Sequence, residues 1–113
     1  MRFFVLTLPL LLLASCGPTI TPDFDSPEPA ARNAAIVKAA EHKDPAAVPD
    51  LVRMLDSDDP ATRLLAIVAL ERITGETMGF DASGPEMDRR AAVDRWQARV
   101  EALSAGPSKK GDQ

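Results

Sequence analysis

Apolar and polar positions between residues 29 and 104 recur with the 3.6-residue period of α-helices, in four segments separated by short breaks. The first predicted helix covers 29–42, with Ala35, Ile36 and Ala39 on one side and Lys38 and Glu41 on the other. The second covers 46–56. Val48, Leu51, Val52 and Leu55 fall there at i, i+3, i+4 and i+7, leaving Asp50, Arg53 and Asp56 to face water. Pro49 suits its first turn, where a missing N–H matters least. The third helix has the sharpest ends: Asp58 or Asp59 as N-cap, Pro60 as first helical residue and Gly75 as left-handed stop. Its interior, Leu64 to Leu70, is apolar nearly all round, which predicts a helix covered on several sides in the middle of the domain. The fourth, 85–104, sets Val93, Trp96, Val100 and Leu103 on one seam, with Arg89, Arg90, Asp94 and Glu101 away from it.

Part of this pattern is written twice. Ser26, Pro29, Ala30, Arg32, Ala35, Ile36 and Val37 recur 31 positions later as Ser57, Pro60, Ala61, Arg63, Ala66, Ile67 and Val68. A two-helix hairpin cannot bury both apolar faces alone, so a repeated one implies stacking on a neighbour or a cap. The stretch DPAAVPDLVRMLDSDDPATRLLAIVALERITG resembles the short bacterial HEAT repeat, also called phycobilisome-lyase HEAT-like. The matching positions are Ala47-Val48-Pro49, Leu51, Leu55, Asp59, Pro60, Arg63, Ala66, Ala69-Leu70 and Gly75. Residues 25–42 then match the second helix of a preceding, truncated repeat.

The resemblance implies an all-α domain over 29–104, a short HEAT-like stack of α-hairpins with about four helices, in effect a fragment of an α-solenoid. It further implies that Arg32 and Arg63 lie inside the stack and pair with an aspartate of a neighbouring turn, such as Asp44 or Asp59; a ligand-facing arginine is the alternative. Gly79-Phe80-Asp81 followed by Arg95-Trp96 resembles an ending found after such repeats, and Trp96 is expected to seal one end of the core. About one and a half repeats form no long concave groove, so recognition of an extended peptide is not expected.

The first residues are of another kind. Arg2 is followed by an apolar run over residues 3–13, interrupted by Thr7 and Pro9, and by small residues at Ala14, Ser15 and Gly17. This reads as a secretory signal over 1–15, too short for a stable span of about 20 apolar residues. Leu13-Ala14-Ser15-Cys16 resembles the bacterial lipobox, in which the cysteine thiol takes up diacylglycerol and becomes the acylated first residue after cleavage. The resemblance makes Cys16 the lipid-attachment site and places the chain in the bacterial envelope, facing the periplasm. Gly17, standing where an aspartate favours inner-membrane retention, leans towards the outer membrane. Residues 16–28, rich in proline, read as a lipidated cysteine and extended linker, and 105–113 as a disordered tail.

Charge and composition remove several functions. The formal net charge is −4 with both signs interspersed, and Trp96 is the single tryptophan, with no tyrosine. Neither a nucleic-acid footprint nor a base-stacking platform emerges. One cysteine cannot form a disulfide framework. His42 is alone near a helix end, and Asp56, Asp58 and Asp59 lack the glycine turn and distal glutamate of a calcium loop. No catalytic residue, metal site or cofactor is therefore expected.

The connection 75–85 carries three glycines and a proline together with Met78, Phe80 and Asp81. It is either a contact site for a partner or a plug folded back over the helix ends. Arg89, Arg90, Arg95 and Arg99 either touch acidic groups or are paired with the interleaved Asp88, Asp94 and Glu101.

These readings converge on a noncatalytic, lipid-anchored protein-interaction module that holds an unidentified protein partner at the membrane surface, with no nucleic acid. A structural lipoprotein that self-associates is the alternative. A more remote one, an accessory of bilin attachment, comes from the repeat's name alone, and export to the periplasm speaks against it.

Overall fold

Proline and aspartate set where the helices begin. In the computed structural model, which describes residues 16–106, helix α1 spans Pro29–His42, a 3-10 turn spans Pro45–Ala47, α2 spans Val48–Met54, α3 spans Pro60–Thr74 and α4 spans Glu86–Ser104. Pro29 and Pro60 each stand in the first turn, where the backbone N–H is unpaired in any case. Asp59, not Asp58, caps α3: its carboxylate accepts the Ala61 N–H at 3.0 Å. Asp44 does the same for the 3-10 turn, accepting from Ala46 N–H at 2.9 Å.

Ends are set by left-handed residues. Gly75 closes α3 at φ 79°, its N–H reaching Glu71 O. Lys43 closes α1 at φ 45°, a conformation that is strained for a residue with a Cβ. Helix α2 is shorter than the predicted 46–56, because the chain tightens beyond Met54. There Leu55, Asp56 and Ser57 donate to the carbonyls of Val52, Arg53 and Met54, three residues back. Its predicted stripe is buried all the same, with Val48 7%, Leu51 0%, Val52 3% and Leu55 1% exposed.

The helices stack in two layers. Helix α3 packs most extensively on α1 and then on α2, while α4 lies against α2. One layer therefore holds α1 and α3 and the other α2 and α4, so that among the described residues a complete hairpin, α2–α3, is flanked by one unpaired helix on each side. Ile36, Leu51, Leu55, Leu70 and Trp96 are almost fully enclosed at the centre.

Three sequence expectations change. The interior of α3 is not covered all round: Leu64 is 54% and Val68 53% exposed, because the α1–α3 layer has no third helix among the described residues. On α4 the inner side is formed by Ala92, Val93 and Trp96, and Leu103 is 67% exposed beyond the end of the stack. Residues 23–28, placed by the sequence in a free linker, are held against the domain. Asp23 N–H donates to Ala31 O, Phe24 packs on the core and Asp25 meets Arg53 at 3.2 Å. Arg53 also pairs with Asp50, and these carboxylates, Asp50 first, hold its guanidinium above its ordinary pKa. Both pairs are largely solvated, so each contributes less than about 1 kcal/mol.

Candidate interaction surfaces

Each repeated arginine has a job inside the fold, and the two jobs are identical. Ser57 Oγ accepts the Asp59 N–H, turning the chain so that the carbonyls of Ser57 and Asp58 point at Arg63, whose Nη1 donates to them at 2.9 and 3.2 Å. Thirty-one residues earlier Ser26 Oγ accepts the Glu28 N–H, and Arg32 Nη1 donates to the carbonyls of Ser26 and Pro27 at 2.8 and 2.9 Å. The partners are backbone carbonyls of the arginine's own preceding turn. The expected pairing with Asp44 or Asp59 does not occur, since the carboxylates of Asp59 and Asp44 are engaged in capping. Arg63 Nε is buried without a hydrogen-bond partner.

A third copy of this device escaped the repeat comparison. Arg89 occupies the fourth position of α4, as Arg32 and Arg63 do in α1 and α3, and its Nη1 donates to Gly84 O at 2.6 Å. The signal was an arginine four residues into a helix that follows a serine-containing turn (Ser83 and Gly84), and the interleaved carboxylates hid it.

Connection 75–85 is built around one tight turn. Phe80 N–H donates to Thr77 O at 3.1 Å across Met78 (φ 51°) and Gly79 (φ 77°), two successive left-handed residues of the kind a type I′ turn demands. Neighbouring residues of α4 hold its carbonyls: Trp96 Nε1 donates to Thr77 O at 2.9 Å and Arg95 Nε to Met78 O at 3.0 Å. A Cβ on Gly79 would stand 3.0 Å from Arg95 Nη2, so the glycine admits the guanidinium as well as the backbone angle. This is the physical content of the Gly79-Phe80 and Arg95-Trp96 pattern.

The consequence for contact is direct. Phe80 is 6% exposed and part of the core, Met78 is half-buried against it, and Trp96 is fully enclosed. Asp81 is exposed, but its carboxylate accepts the Ser83 N–H at 2.9 Å to shape the next turn. Phe80 is thus unavailable to a partner. Nor do the arginines of α4 pair with Asp88, Asp94 or Glu101: Arg90 meets Glu86 at 2.8 Å and Arg99 meets Glu76 at 3.1 Å.

Several apolar side chains also remain open, Met87 and Val37 among them. Leu64 and Val68 line α3, and Leu103 borders a groove of about 270 Å³ between Pro45, Pro49, Ile73 and Val100. Among the described residues no three histidine, cysteine or carboxylate side chains gather as a metal site would need. No described helix is long and apolar enough to cross a membrane. Cys16 is exposed and carries a free thiol; the signal expected over 1–15 and the part of the expected tail from 107 onward lie outside the described residues.

A two-layer helical stack in which a serine turn, and an arginine of the following helix that donates back to it, recur 31 residues apart is the architecture of a known family. Its sequence profile, HEAT repeats, matches residues 19–104, well over half of the chain. The chain belongs to the HEAT-repeat family. The match starts ahead of α1 and takes in the segment that Phe24 anchors, and it runs to the last residue of α4, so both half-hairpins belong to the HEAT unit. No curated protein and no solved structure matched the chain. HEAT repeats are in general protein–protein interaction modules, typically without catalytic activity.

Proposed function

We propose that this HEAT chain is a noncatalytic, lipid-anchored interaction module of the bacterial envelope, tethered through Cys16, facing the periplasm and holding a protein partner near the membrane. The observation that carries the interaction reading is HEAT membership together with a stack whose outer layer is left open at Leu64 and Val68. Tethering is supported by the Leu13-Ala14-Ser15-Cys16 pattern and by an exposed cysteine that precedes the first residue held against the domain, Asp23. Two or three acyl chains hold a protein stably where one holds it marginally, at about 0.8 kcal/mol per buried CH₂. Gly17 inclines the proposal to the outer membrane.

The test has two arms. Cells fed labelled palmitate should label the wild-type chain and not the Cys16→Ser variant, and equal labelling of the two would remove the anchor. Crosslinking of the tagged full chain in cells should recover a discrete protein species that is lost with Leu64→Asp, and recovery unaffected by substitution of any exposed apolar residue would remove the module reading.

A further inference from the structure

The two ends of the stack are finished differently. At the α1 end, residues 23–27 lie across the helix and supply Phe24 as a cover. At the other end α4 covers α2, while the outer side of α3 is bare among the described residues.

The repeat shows which side that is. Asn33 of α1 looks at α3, its Oδ1 accepting the Thr62 hydroxyl at 2.7 Å. The residue 31 positions on from Asn33 is Leu64, which is 54% exposed. Asn33 marks the edge of the α1–α3 contact, since Val37, the counterpart of Val68, is itself 42% exposed; the corresponding edge of α3 carries leucine in place of asparagine and has no helix against it among the described residues.

Pro60, Leu64, Val68 and Arg72 stand at i, i+4, i+8 and i+12, and all four are exposed. Such a row is one ridge of a helix, able to fit beside the same ridge of another. Its charge is polar along the axis: the carboxylate of exposed Asp58 stands before the first turn and the guanidinium of exposed Arg72 in the last. Neither belongs to an ion pair among the described residues.

From this ridge we infer that the open side of α3 pairs antiparallel with the same side of a second copy of this chain. A two-fold axis beside Ala66 sets Leu64 on Val68 of the other copy, and each Arg72 beside the other's Pro60 and Asp58. Glu71 then faces the opposing N-terminal turn, where the helix dipole favours a carboxylate. Two copies of α3 laid parallel bring like ends together and lose both attractions. A single ridge buries less than the roughly 800 Å² per partner of a standard stable interface, so the pairing is of the reversible class that tethering on a surface would promote.

The pairing rests on reading the chain as an interaction module and specifies its partner. The test uses the full chain in cells, with a photocrosslinking residue at position 68 and, as control, at exposed position 97 on α4. The expected product at 68 is an adduct of two copies of this chain, several-fold more abundant than at 97. Arg72→Glu should reduce it several-fold, and Arg72→Glu with Asp58→Arg in the same chain should restore it, since the swap keeps the ends complementary. Absence of a self-adduct above the position 97 level overturns the pairing, as does an adduct at 68 with a different protein, which leaves the module reading standing. A self-adduct that the double swap fails to restore overturns the antiparallel register. Unchanged thermal unfolding of the exposed-site variants separates these outcomes from misfolding.

Discussion

Trp96 does two things with a single side chain: it is fully enclosed in the core, and its indole N–H holds Thr77 O. Trp96→Ala should lower stability by about 3–5 kcal/mol. Trp96→Phe, which keeps most of the volume and leaves Thr77 O with the Phe80 N–H as its remaining donor, should cost less, on the order of 1–3 kcal/mol. Thermal unfolding followed by circular dichroism measures both, and a melting temperature unmoved by the alanine would show that the indole is not in the core. Lys43 offers a change of opposite sign. Its φ of 45° strains any residue with a Cβ, so Lys43→Gly should stabilise by about 1 kcal/mol, or about 4–8 °C for a domain of this size. A lower melting temperature for that variant would mean that the lysine side chain itself holds the end of α1.

At the scale of the element, the arginine turns are the repeated unit of construction. Arg63 Nη1 serves two carbonyls where Arg89 Nη1 serves one, and Arg63 is the more enclosed at its Nε. Arg63→Ala should therefore cost more than Arg89→Ala, about 1–3 kcal/mol against about 1, since it removes two hydrogen bonds, one of them to a part-buried carbonyl, where the other removes one. Urea titration of the two variants decides the order, and equal midpoints would mean that the turns hold their shape without the guanidinium. Gly79→Ala tests the other connection. It strains a φ of 77° and pushes into Arg95, so it should destabilise by at least about 1 kcal/mol and weaken the hold of Arg95 on Met78 O.

At the scale of the whole molecule, stability depends on the covers at the two ends of a stack too short to ignore them. Phe24 lies well before α1 and is half-buried on the core. Phe24→Ala should cost about half the roughly 3–5 kcal/mol of a fully buried phenylalanine. A variant as stable as the wild type would return residues 23–28 to the role of a free linker.

The all-α class and the repeat were legible in the chain because helical period, caps and a 31-residue recurrence are local signals, and they arise from the same physics that starts and stops a helix. The bounds of α1, the first-turn proline of α3 and the buried stripe of α2 belong to that category. Which apolar residues stay exposed was not legible. Leu64, Val68 and Leu103 have the same character as their buried neighbours, and only the arrangement of layers, with α4 on α2 and, among the described residues, no further helix beside α3 in its own layer, leaves them uncovered. The partners of Arg32, Arg63, Arg89 and Arg95 were hidden for a related reason. Charge pattern suggests carboxylates, whereas the carbonyl acceptors exist only once a turn has folded and aimed them, so tertiary geometry decided where each guanidinium went.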